Sequence, residues 1–208
     1  MKASFLPAQH PIEKRQIGIV LQQATFVQQL QQGNESAFRQ LVDTYQDQVY
    51  NVCYGFAHQA DDAEDLAQDV FVEVYRSISQ YRGDAKLTTW IYRIATTKSL
   101  EWIRKRQRKK RLAFFQAKRG DEAGLDNIKA IEAHPGVQLE NQERSKILFW
   151  AIDQLPAKQR AAFTLHKIEG LSYQEVSEVL EMSLSSIESL MFRAKKGLKK
   201  KLSAYYSQ

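Results

Sequence analysis

The 208-residue chain contains few residues that bend or cross-link a protein: one cysteine, four prolines and nine glycines. A lone Cys53 excludes a disulfide within the chain and a cysteine-based zinc site, and it favours a reducing compartment. The longest stretch without a charged residue, 16–34, holds seven glutamines and so does not predict a membrane span. The N-terminal residues also lack the apolar core of a signal peptide. We therefore expect a cytoplasmic protein without membrane insertion.

Apolar residues recur at helical spacing along most of the chain, in stripes that begin near Phe38, Ala63 and Leu87. The pattern lapses over about 112–139, where glycines, a proline and mixed charge favour a linker, and it resumes near Ile147. The sequence therefore predicts an all-α protein of two helical domains joined by a flexible linker. The predicted segments are an N-terminal extension at 1–23, a first domain at 24–111, the linker at 112–139 and a second domain at 140–208.

Several polar residues stand where helices are expected to begin. Asn34 precedes the first stripe, and Asp61 or Asp62 precedes the second. Their side chains can accept hydrogen bonds from the free backbone N–H groups of a first helical turn. Ser172 with Glu175 has the S-x-x-E spacing of a capping box. These residues predict three helix starts.

The net charge of +6 hides an uneven distribution. Seven of the eight residues at 104–111 are basic, and so are six of the nine at 193–201; we call these the first and second basic blocks. Segments 61–73 and 169–188 hold six and five acids and no base. Lysine and arginine also favour solvated helix ends. A basic block in each predicted domain nevertheless favours nucleic acid as a partner, since cations bind phosphates whatever the base sequence.

The C-terminal segment is predicted to form a helix-turn-helix, with a tight connection at 181–183 between two helices. At about 100° per residue, the second helix turns Leu184, Ile187, Met191 and other apolar residues inward. Its outward face carries small hydroxyls first and cations later, as a helix in the major groove of DNA does. A plain helical hairpin explains the inward residues equally well. The outward residues predicted to bind duplex DNA are Ser185, Ser186, Ser189, Phe192, Arg193 and Lys196.

The helix predicted near 61–78 has an acidic outward stripe that also contains Val72. An apolar residue within a polar stripe favours a protein-binding surface. Carboxylates four residues apart could instead share a metal ion, although the paired E-x-x-H signature of di-iron bundles is missing. The polar members of the stripe are Asp61, Asp65, Gln68, Asp69, Glu73 and Arg76.

Aromatic and basic residues alternate in the segment that follows, from 81 to the first basic block. Rings that stack on bases beside cations that hold phosphates form a platform for single-stranded nucleic acid. A turn at Gly83 and Asp84 could receive a base removed from its stack. About half of the rings are expected to pack in the core instead. The rings are Tyr81, Trp90, Tyr92 and Trp102, and the cations are Arg82, Lys86, Arg93, Lys98 and Arg104.

Three stretches resemble, in order and spacing, the landmarks of bacterial extracytoplasmic-function (ECF) sigma factors of the sigma-70 family. They are DDAEDLAQDVFVEVYRSI, YRGDAKLTTWIYRIATTKSLEWIRKRQR and LPAKQRAAFTLHKIEGLSYQEVSEVLEMSLSSIESLMFRAKKGLKK. The resemblance covers roughly 24–111 and 140–203. It implies a factor that binds the clamp coiled coil and flap of core RNA polymerase and directs the enzyme to promoter DNA. It implies no catalytic residue, cofactor or metal, and it makes an anti-sigma factor a possible further partner.

The resemblance also implies residue roles, which add to those taken from the helix faces. Region two would grip the polymerase clamp through Asp61, Asp65, Gln68, Asp69, Phe71, Val72 and Glu73. Its turn and following helix would capture minus-ten DNA through Arg82, Gly83, Asp84, Lys86, Trp90, Thr96, Thr97, Lys98, Glu101 and Arg104. Region four would bind the minus-thirty-five element through Ser185, Ser186, Glu188, Ser189, Phe192, Arg193 and Lys196.

The chain departs from the family pattern at several of these positions. Asparagine is common in the family where Thr97 stands, and aspartate where Glu101 stands. A basic residue is frequent at Glu188 and Leu190, and glycine at Glu181, where a positive φ would strain any other residue. These differences bear on the promoter sequence that is recognised and not on the class of protein.

Two other functions are compatible with parts of the pattern. A helix-turn-helix regulator that binds duplex DNA unaided would need a dimer interface, and the sequence has no long apolar seam for one. A helical enzyme or metal protein would need clustered ligands, whereas His10, His58, His134 and His166 are scattered.

Overall fold

The computed structural model describes residues 24–117 and 147–206. All regular secondary structure in these two segments is helical, which confirms the all-α prediction. The predicted N-terminal extension, residues 118–139 of the predicted linker and residues 140–146 of the predicted second domain lie outside the described residues. Among the helices of the described segments, none is long and apolar enough to cross a membrane.

The N-terminal segment contains four helices and the C-terminal segment four more. The first four are α1 (24–31), α2 (Glu35–Ala57), α3 (Ala60–Ser77), which continues into a 3₁₀ turn at Ile78–Gln80, and α4 (Leu87–Ala117). The second four are α5 (147–153), α6 (Ala157–Phe163) with a π-helical turn at Thr164–Ile168, α7 (Tyr173–Leu180) and α8 (Leu184–Tyr206).

Two of the three predicted helix starts are confirmed. The side chain of Asn34 accepts a hydrogen bond from the backbone N–H of Ala37 at 3.0 Å, and Ser172 and Glu175 form a complete capping box. The third prediction was wrong, because α3 begins after a residue with no capping side chain and places both Asp61 and Asp62 inside its first turn. There their charge interacts favourably with the positive end of the helix dipole.

Helices α2, α3 and α4 pack around a core made from the three predicted stripes. Leu41 and Val52 of α2, Val70 of α3, and Leu87 and Ile91 of α4 are almost completely buried. Each such side chain contributes roughly 1.5–3 kcal/mol relative to an exposed one. The apolar stripes therefore determine which face of each helix turns inward and which face is left for function.

Helix α4 extends further than the apolar pattern indicates. It is helical through Ala117, so the first basic block and the residues after Leu112, which was predicted to begin the linker, belong to the helix. Lysine and arginine are good helix formers, so the basic block can continue the helix without an apolar stripe. Loss of apolar periodicity therefore does not mark the end of this helix.

The C-terminal helices contain the predicted helix-turn-helix, formed by α7 and α8. Between them Glu181 adopts a left-handed conformation with φ 52°, and the backbone N–H of Met182 bonds to the carbonyl of Ser177 at 3.1 Å. On α8, Ile187 and Met191 are buried as expected. Leu184 is 42% exposed, so its predicted inward position was wrong. As the first residue of the helix, it lies at the margin of the packed face.

The N-terminal and C-terminal helices share one hydrophobic core. A single cluster of buried apolar side chains runs from α1–α4 into the C-terminal helices, where it includes Ala161, Leu165, Val176 and Ile187. A smaller second cluster joins α5 and α8, with Ile152 and other residues. The two halves of the described chain therefore pack directly against each other, which the sequence pattern did not predict.

We expect this packing to be sensitive to pH through Glu169. Burial raises the pKa of its carboxyl to about 7 from an ordinary 4.5, and its Oε1 atom is buried without a hydrogen-bond partner among the described residues. The folded chain therefore holds a proton that the unfolded chain releases from about pH 4.5 upward, so stability falls as the pH rises through this range to just above 7.

Glu169→Gln should raise the free energy of unfolding at pH 8 by about 1 kcal/mol, since one pKa unit is worth about 1.4 kcal/mol and water reaching the half-buried group reduces the effect. Thermal melts at pH 6 and pH 8 would show a smaller difference for the variant than for the parent. Glu188→Gln, at an exposed site on α8, is the control. An unchanged difference in the Glu169 variant would contradict the assignment.

Candidate nucleic-acid and protein interfaces

The outward side of α3 presents the predicted acidic stripe. Asp61, Asp65, Gln68 and Asp69 are exposed, and Val72 is 48% exposed among them. We call these five residues the acidic face. The opposite side of the helix is buried in the core, so the packing of α3 fixes the direction of this face. A surface with carboxylates around an apolar centre suits a protein partner that carries complementary cations.

The apolar part of this surface is larger than the sequence analysis indicated. Tyr75 is 52% exposed, and its ring meets that of Phe38 on α2 edge-to-face at 5.0 Å. Position 75 lies three residues after Val72, a spacing that places the two on neighbouring parts of one face. That spacing was the available signal. Phe71, by contrast, is half-buried and packs against the core, as its position on the helix predicted.

Two ion pairs connect α3 with α4. Lys98 Nζ lies 2.6 Å from Glu73 Oε2, and Arg106 Nη1 lies 3.2 Å from Asp62 Oδ2. The hydrogen bond and charge of Lys98 lower the pKa of Glu73. Glu73 was predicted to contact polymerase and Lys98 to contact DNA. The structure brings these two side chains together, so each neutralises the other in this conformation.

An open cleft between α3 and α4 brings together several residues predicted to contact minus-ten DNA. Trp90, Thr97, Lys98 and Glu101 all line it. Thr96 does not, because it is turned about 100° from its neighbour and is 3% exposed. The structure therefore contradicts the prediction that Thr96 contacts DNA in this conformation.

The predicted turn forms a second cleft together with α1. Gln31 Nε2 donates to the carbonyl of Tyr81 at 2.9 Å, and the Tyr81 hydroxyl donates to the carbonyl of Ala85 at 2.6 Å. Gly83 adopts φ 81°, a conformation in which a side chain would be strained. These two hydrogen bonds and the conformation of Gly83 fix the shape of the turn. Its exposed residues Arg82, Asp84 and Lys86 line the cleft with Gln28 and Gln31.

The aromatic residues of this segment divide between surface and core. Tyr81 and Trp90 are half-buried neighbours with ring centroids 5.3 Å apart, at the mouth of the clefts. Tyr92 is buried, and Trp102 is half-buried with the Arg106 guanidinium 4.9 Å above its ring. Two of the four rings therefore remain partly accessible, and their stacking on bases stays a prediction. Arg104 is exposed on the continuing helix.

The outward face of α8 is free of contacts with the protein core. Phe192 is 69% exposed, and the surrounding predicted DNA contacts are also exposed: Ser185, Glu188, Ser189, Arg193 and Lys196. Ser186 is half-buried, and its hydroxyl lies 2.8 Å from that of Ser183, whose oxygen also accepts the backbone N–H of Ser186. The predicted orientation of the helix is confirmed, whereas the DNA contacts themselves stay predictions.

Histidine does not cluster with other ligands within 24–117 and 147–206, where no group of three or more His, Cys, Asp or Glu side chains could hold a metal ion. His166 Nδ1 lies 2.7 Å from the carbonyl of Leu171, and His58 Nε2 lies 2.9 Å from Asp153 Oδ1. Both histidines thus have structural partners. His10 and His134 lie outside the described residues.

Comparisons with known proteins agree with this arrangement. Residues 41–109 match the family model of sigma-70 region 2, and residues 148–198 match that of sigma-70, region 4. The chain is 32% identical to the RNA polymerase sigma-H factor of Pseudomonas aeruginosa, over 87% of this chain and 94% of that protein. It is 31% identical to the ECF RNA polymerase sigma factor SigW of Bacillus subtilis, over 85% of this chain and 94% of that protein.

Two solved structures share the fold. One is CnrH in complex with the cytosolic domain of CnrY, with a TM-score of 0.60 and 20% identity over 88% of this chain and 97% of that chain. The other is the sigma factor RpoE in complex with the anti-sigma factor NepR from Bartonella quintana, with a TM-score of 0.58 and 22% identity over 80% and 96%. With the matches to both sigma-70 regions and the identity to two curated sigma factors, the chain belongs to the ECF RNA polymerase sigma factors of the sigma-70 family.

Proposed function

We propose that this sigma factor holds core RNA polymerase through α3, binds the minus-thirty-five element through α8 and helps to melt the minus-ten region at α4. The observation that carries the proposal is that the acidic residues and the aromatic and basic residues of the first four helices lie on different surfaces. The acidic face of α3 and the aromatic and basic clefts of α4 are adjacent but distinct. One domain can therefore contact polymerase and DNA at the same time.

Polymerase binding would use charge and apolar area together. The acidic face attracts a basic partner surface, which speeds association and fixes its orientation. Val72 and Tyr75 supply exposed apolar area, which becomes buried and gives affinity once the partner excludes water. The family resemblance identifies this partner as the clamp coiled coil, and it implies the flap as a further contact on core polymerase.

Promoter melting would depend on capturing bases as they leave the stack. Unstacking a base costs a few kcal/mol, and stacking on an aromatic ring at about 1–3 kcal/mol per base can offset that cost. Trp90 lines one cleft and Tyr81 the other, and Arg82 and Lys86 supply positive charge to the second. Lys98 would supply positive charge to the first cleft once it leaves Glu73. Rings and cations are therefore close enough to serve one single strand.

Upstream binding would rest on α8. Its first turns expose small hydroxyls near Ser185 and Ser189, and the second basic block follows from Arg193. In a major groove, such a helix reads base edges with its first turns and holds phosphates with its later ones. Glu188 reduces the positive charge in the middle of this face, so we expect it to select against some base sequences.

The remaining expectations follow from the same role. The chain would act in the cytoplasm, at the nucleoid, without a cofactor and without catalysing a reaction itself. The domain boundaries 24–111 and 140–208 stay predictions. Because NepR is described as an anti-sigma factor in its complex with RpoE, we also propose that a protein of that kind restrains this chain.

Asp65→Arg should reduce the affinity for core polymerase at least tenfold, since it places a cation at the centre of the acidic face. The measurement is fluorescence anisotropy of the labelled chain with core enzyme, followed by run-off transcription on fragmented genomic DNA of the host. Glu64→Arg is the matched control: Glu64 is also exposed on α3, but it faces Tyr50 of α2. Equal losses in both variants would argue against the acidic face.

Trp90→Ala should slow open-complex formation about tenfold or more, in line with the loss of one stacking ring, and leave polymerase affinity unchanged. Fluorescence of 2-aminopurine placed in the minus-ten region of a transcribed promoter reports the opening. Trp102→Ala removes a half-buried ring from the same helix outside the clefts. If both variants lose opening and polymerase binding equally, the ring supports folding and not melting.

A further inference from the structure

The short helix α1 forms one wall of the cleft at the turn that was predicted to receive an unstacked base. Leu30 is 3% exposed, and Phe26 and Val27 pack partly against the same core, so the apolar face of α1 fixes how the helix lies. After α1 the chain reverses at Gly33, with φ 74°, and enters α2 at its Asn34 cap. This packing leaves the polar face of α1 beside the turn.

Gln31, on this polar face, holds the turn in place. Its Nε2 donates to the carbonyl of Tyr81 at 2.9 Å and lies 3.5 Å from the carbonyl of Ile78. Both carbonyls belong to the chain that leads from α3 into the turn, so the amide connects the two walls of the cleft. The amide nitrogen of Gln31 is therefore already engaged, and its role is to position the turn.

Gln28 lies one helical turn earlier on the same face, since residues three apart on a helix are neighbours. It is exposed and lines the cleft together with Gln31. No hydrogen bond joins its side chain to another residue that the structure describes. A glutamine amide carries a carbonyl acceptor and an NH₂ donor side by side. Gln28 therefore presents both groups to a molecule that enters the cleft.

The opposite wall supplies other groups that can hold a nucleotide. Arg82 and Lys86 are exposed cations, Asp84 is an exposed carboxylate, and the Tyr81 ring is half-buried in the same cleft. A Cβ atom at Gly83 would have no neighbour within 4 Å, so the tip of the turn leaves the cleft open. With a volume of about 590 Å³, the cleft falls within the size range of small-ligand sites and can admit one nucleotide.

The polar groups of the cleft match the edge of an unpaired base. A base taken out of its stack presents its Watson–Crick edge, which is hidden in a duplex. Adenine and cytosine each carry an amino group next to a ring nitrogen that accepts a hydrogen bond. The amide of Gln28 can donate to that ring nitrogen and accept from the amino group, and Asp84 can accept the second amino hydrogen. Thymine has no amino group to offer.

We propose that Gln28 of α1 determines base specificity by reading the edge of one unpaired minus-ten base held between α1 and the turn. The inference rests on the proposed function, since it assumes that the turn binds single-stranded promoter DNA. It extends the DNA-binding surface to a helix that precedes residues 41–109, which match sigma-70 region 2. The base that it selects is adenine or cytosine.

The test measures base preference with the full chain bound to core polymerase. The probe is a fluorescent forked DNA with the minus-ten bases of a transcribed promoter left unpaired, and each of these bases is replaced in turn by the other three. At one position, the parent should bind adenine or cytosine at least fivefold more tightly than thymine, as expected for one bidentate contact. Gln28→Ala should abolish this preference and leave those at the other positions unchanged.

Gln28→Glu should change the preferred base. A carboxylate accepts hydrogen bonds but does not donate them, so it cannot pair with the ring nitrogen of adenine or cytosine. It can accept both the N1–H and the amino group of guanine. Binding of guanine relative to adenine at this position should therefore rise at least fivefold over the parent, even if the added charge lowers the affinity for all four bases.

Two further glutamines on α1 serve as controls. Gln29 is exposed but lies outside the residues that line the cleft, so Gln29→Ala should keep every preference of the parent. Gln31→Ala releases the turn and should weaken the binding of all four bases alike. All of these glutamines are exposed, and thermal melts check that each variant folds.

Parent-like base preferences at every minus-ten position in both Gln28 variants would overturn the inference and leave the sigma function intact, provided the chain still supports transcription. A uniform loss in Gln28→Ala, like that expected for Gln31→Ala, would also overturn it, because Gln28 would then shape the cleft without reading a base. Failure of the unmodified chain to support transcription with core polymerase would overturn the proposed function and this inference together. A loss of preference at one position, with the shift toward guanine in Gln28→Glu, would support base reading by Gln28.

Discussion

The arrangement of the molecule depends on one buried cation. The guanidinium of Arg160 forms an ion pair with Asp153, donates a hydrogen bond to the carbonyl of Phe56 and lies 5.7 Å from the centre of the Phe56 ring. Asp153 belongs to the same half of the chain as Arg160 and Phe56 to the other, so the guanidinium has both partners only when the two halves meet. A buried charge without its partners is far less stable than one in water. The shared apolar core stabilises the contact between the halves, and the ionic network around Arg160 determines which arrangement of the halves forms.

Most of the local structure could be predicted because the spacing of apolar residues follows the period of the α-helix. Stripes of apolar residues located the helices, Asn34 and Ser172 located two helix starts, and the angle per residue located the exposed Phe192. The same reasoning failed at Leu184, which lies at the margin of a face, and the position implied for Thr96 by the family resemblance is buried in this structure. There the outcome depends on neighbouring helices and not on the helix itself.

The contact between the two halves could not be predicted from any local pattern in the sequence. Gly55 stands next to an apolar stripe without belonging to it, and nothing there indicates its close approach to Thr164. Arg160 stands in a segment where a surface cation would be expected. Their roles depend on residues about a hundred positions away, and no local pattern encodes that distance. The candidate surfaces were easier to predict, because charge and exposure on one helix are local properties. The ion pair between Glu73 and Lys98 again required the tertiary structure.

The continuity of α4 has a geometric consequence for any DNA it meets. Trp90 and Arg104 lie on one uninterrupted helix, fourteen residues apart in the sequence. At about 1.5 Å per residue, the helix sets their axial separation at about 21 Å. That is about six base steps of stacked duplex DNA at 3.4 Å per step. The length of the helix therefore fixes the distance between a base stacked on Trp90 and the phosphates that the first basic block would bind.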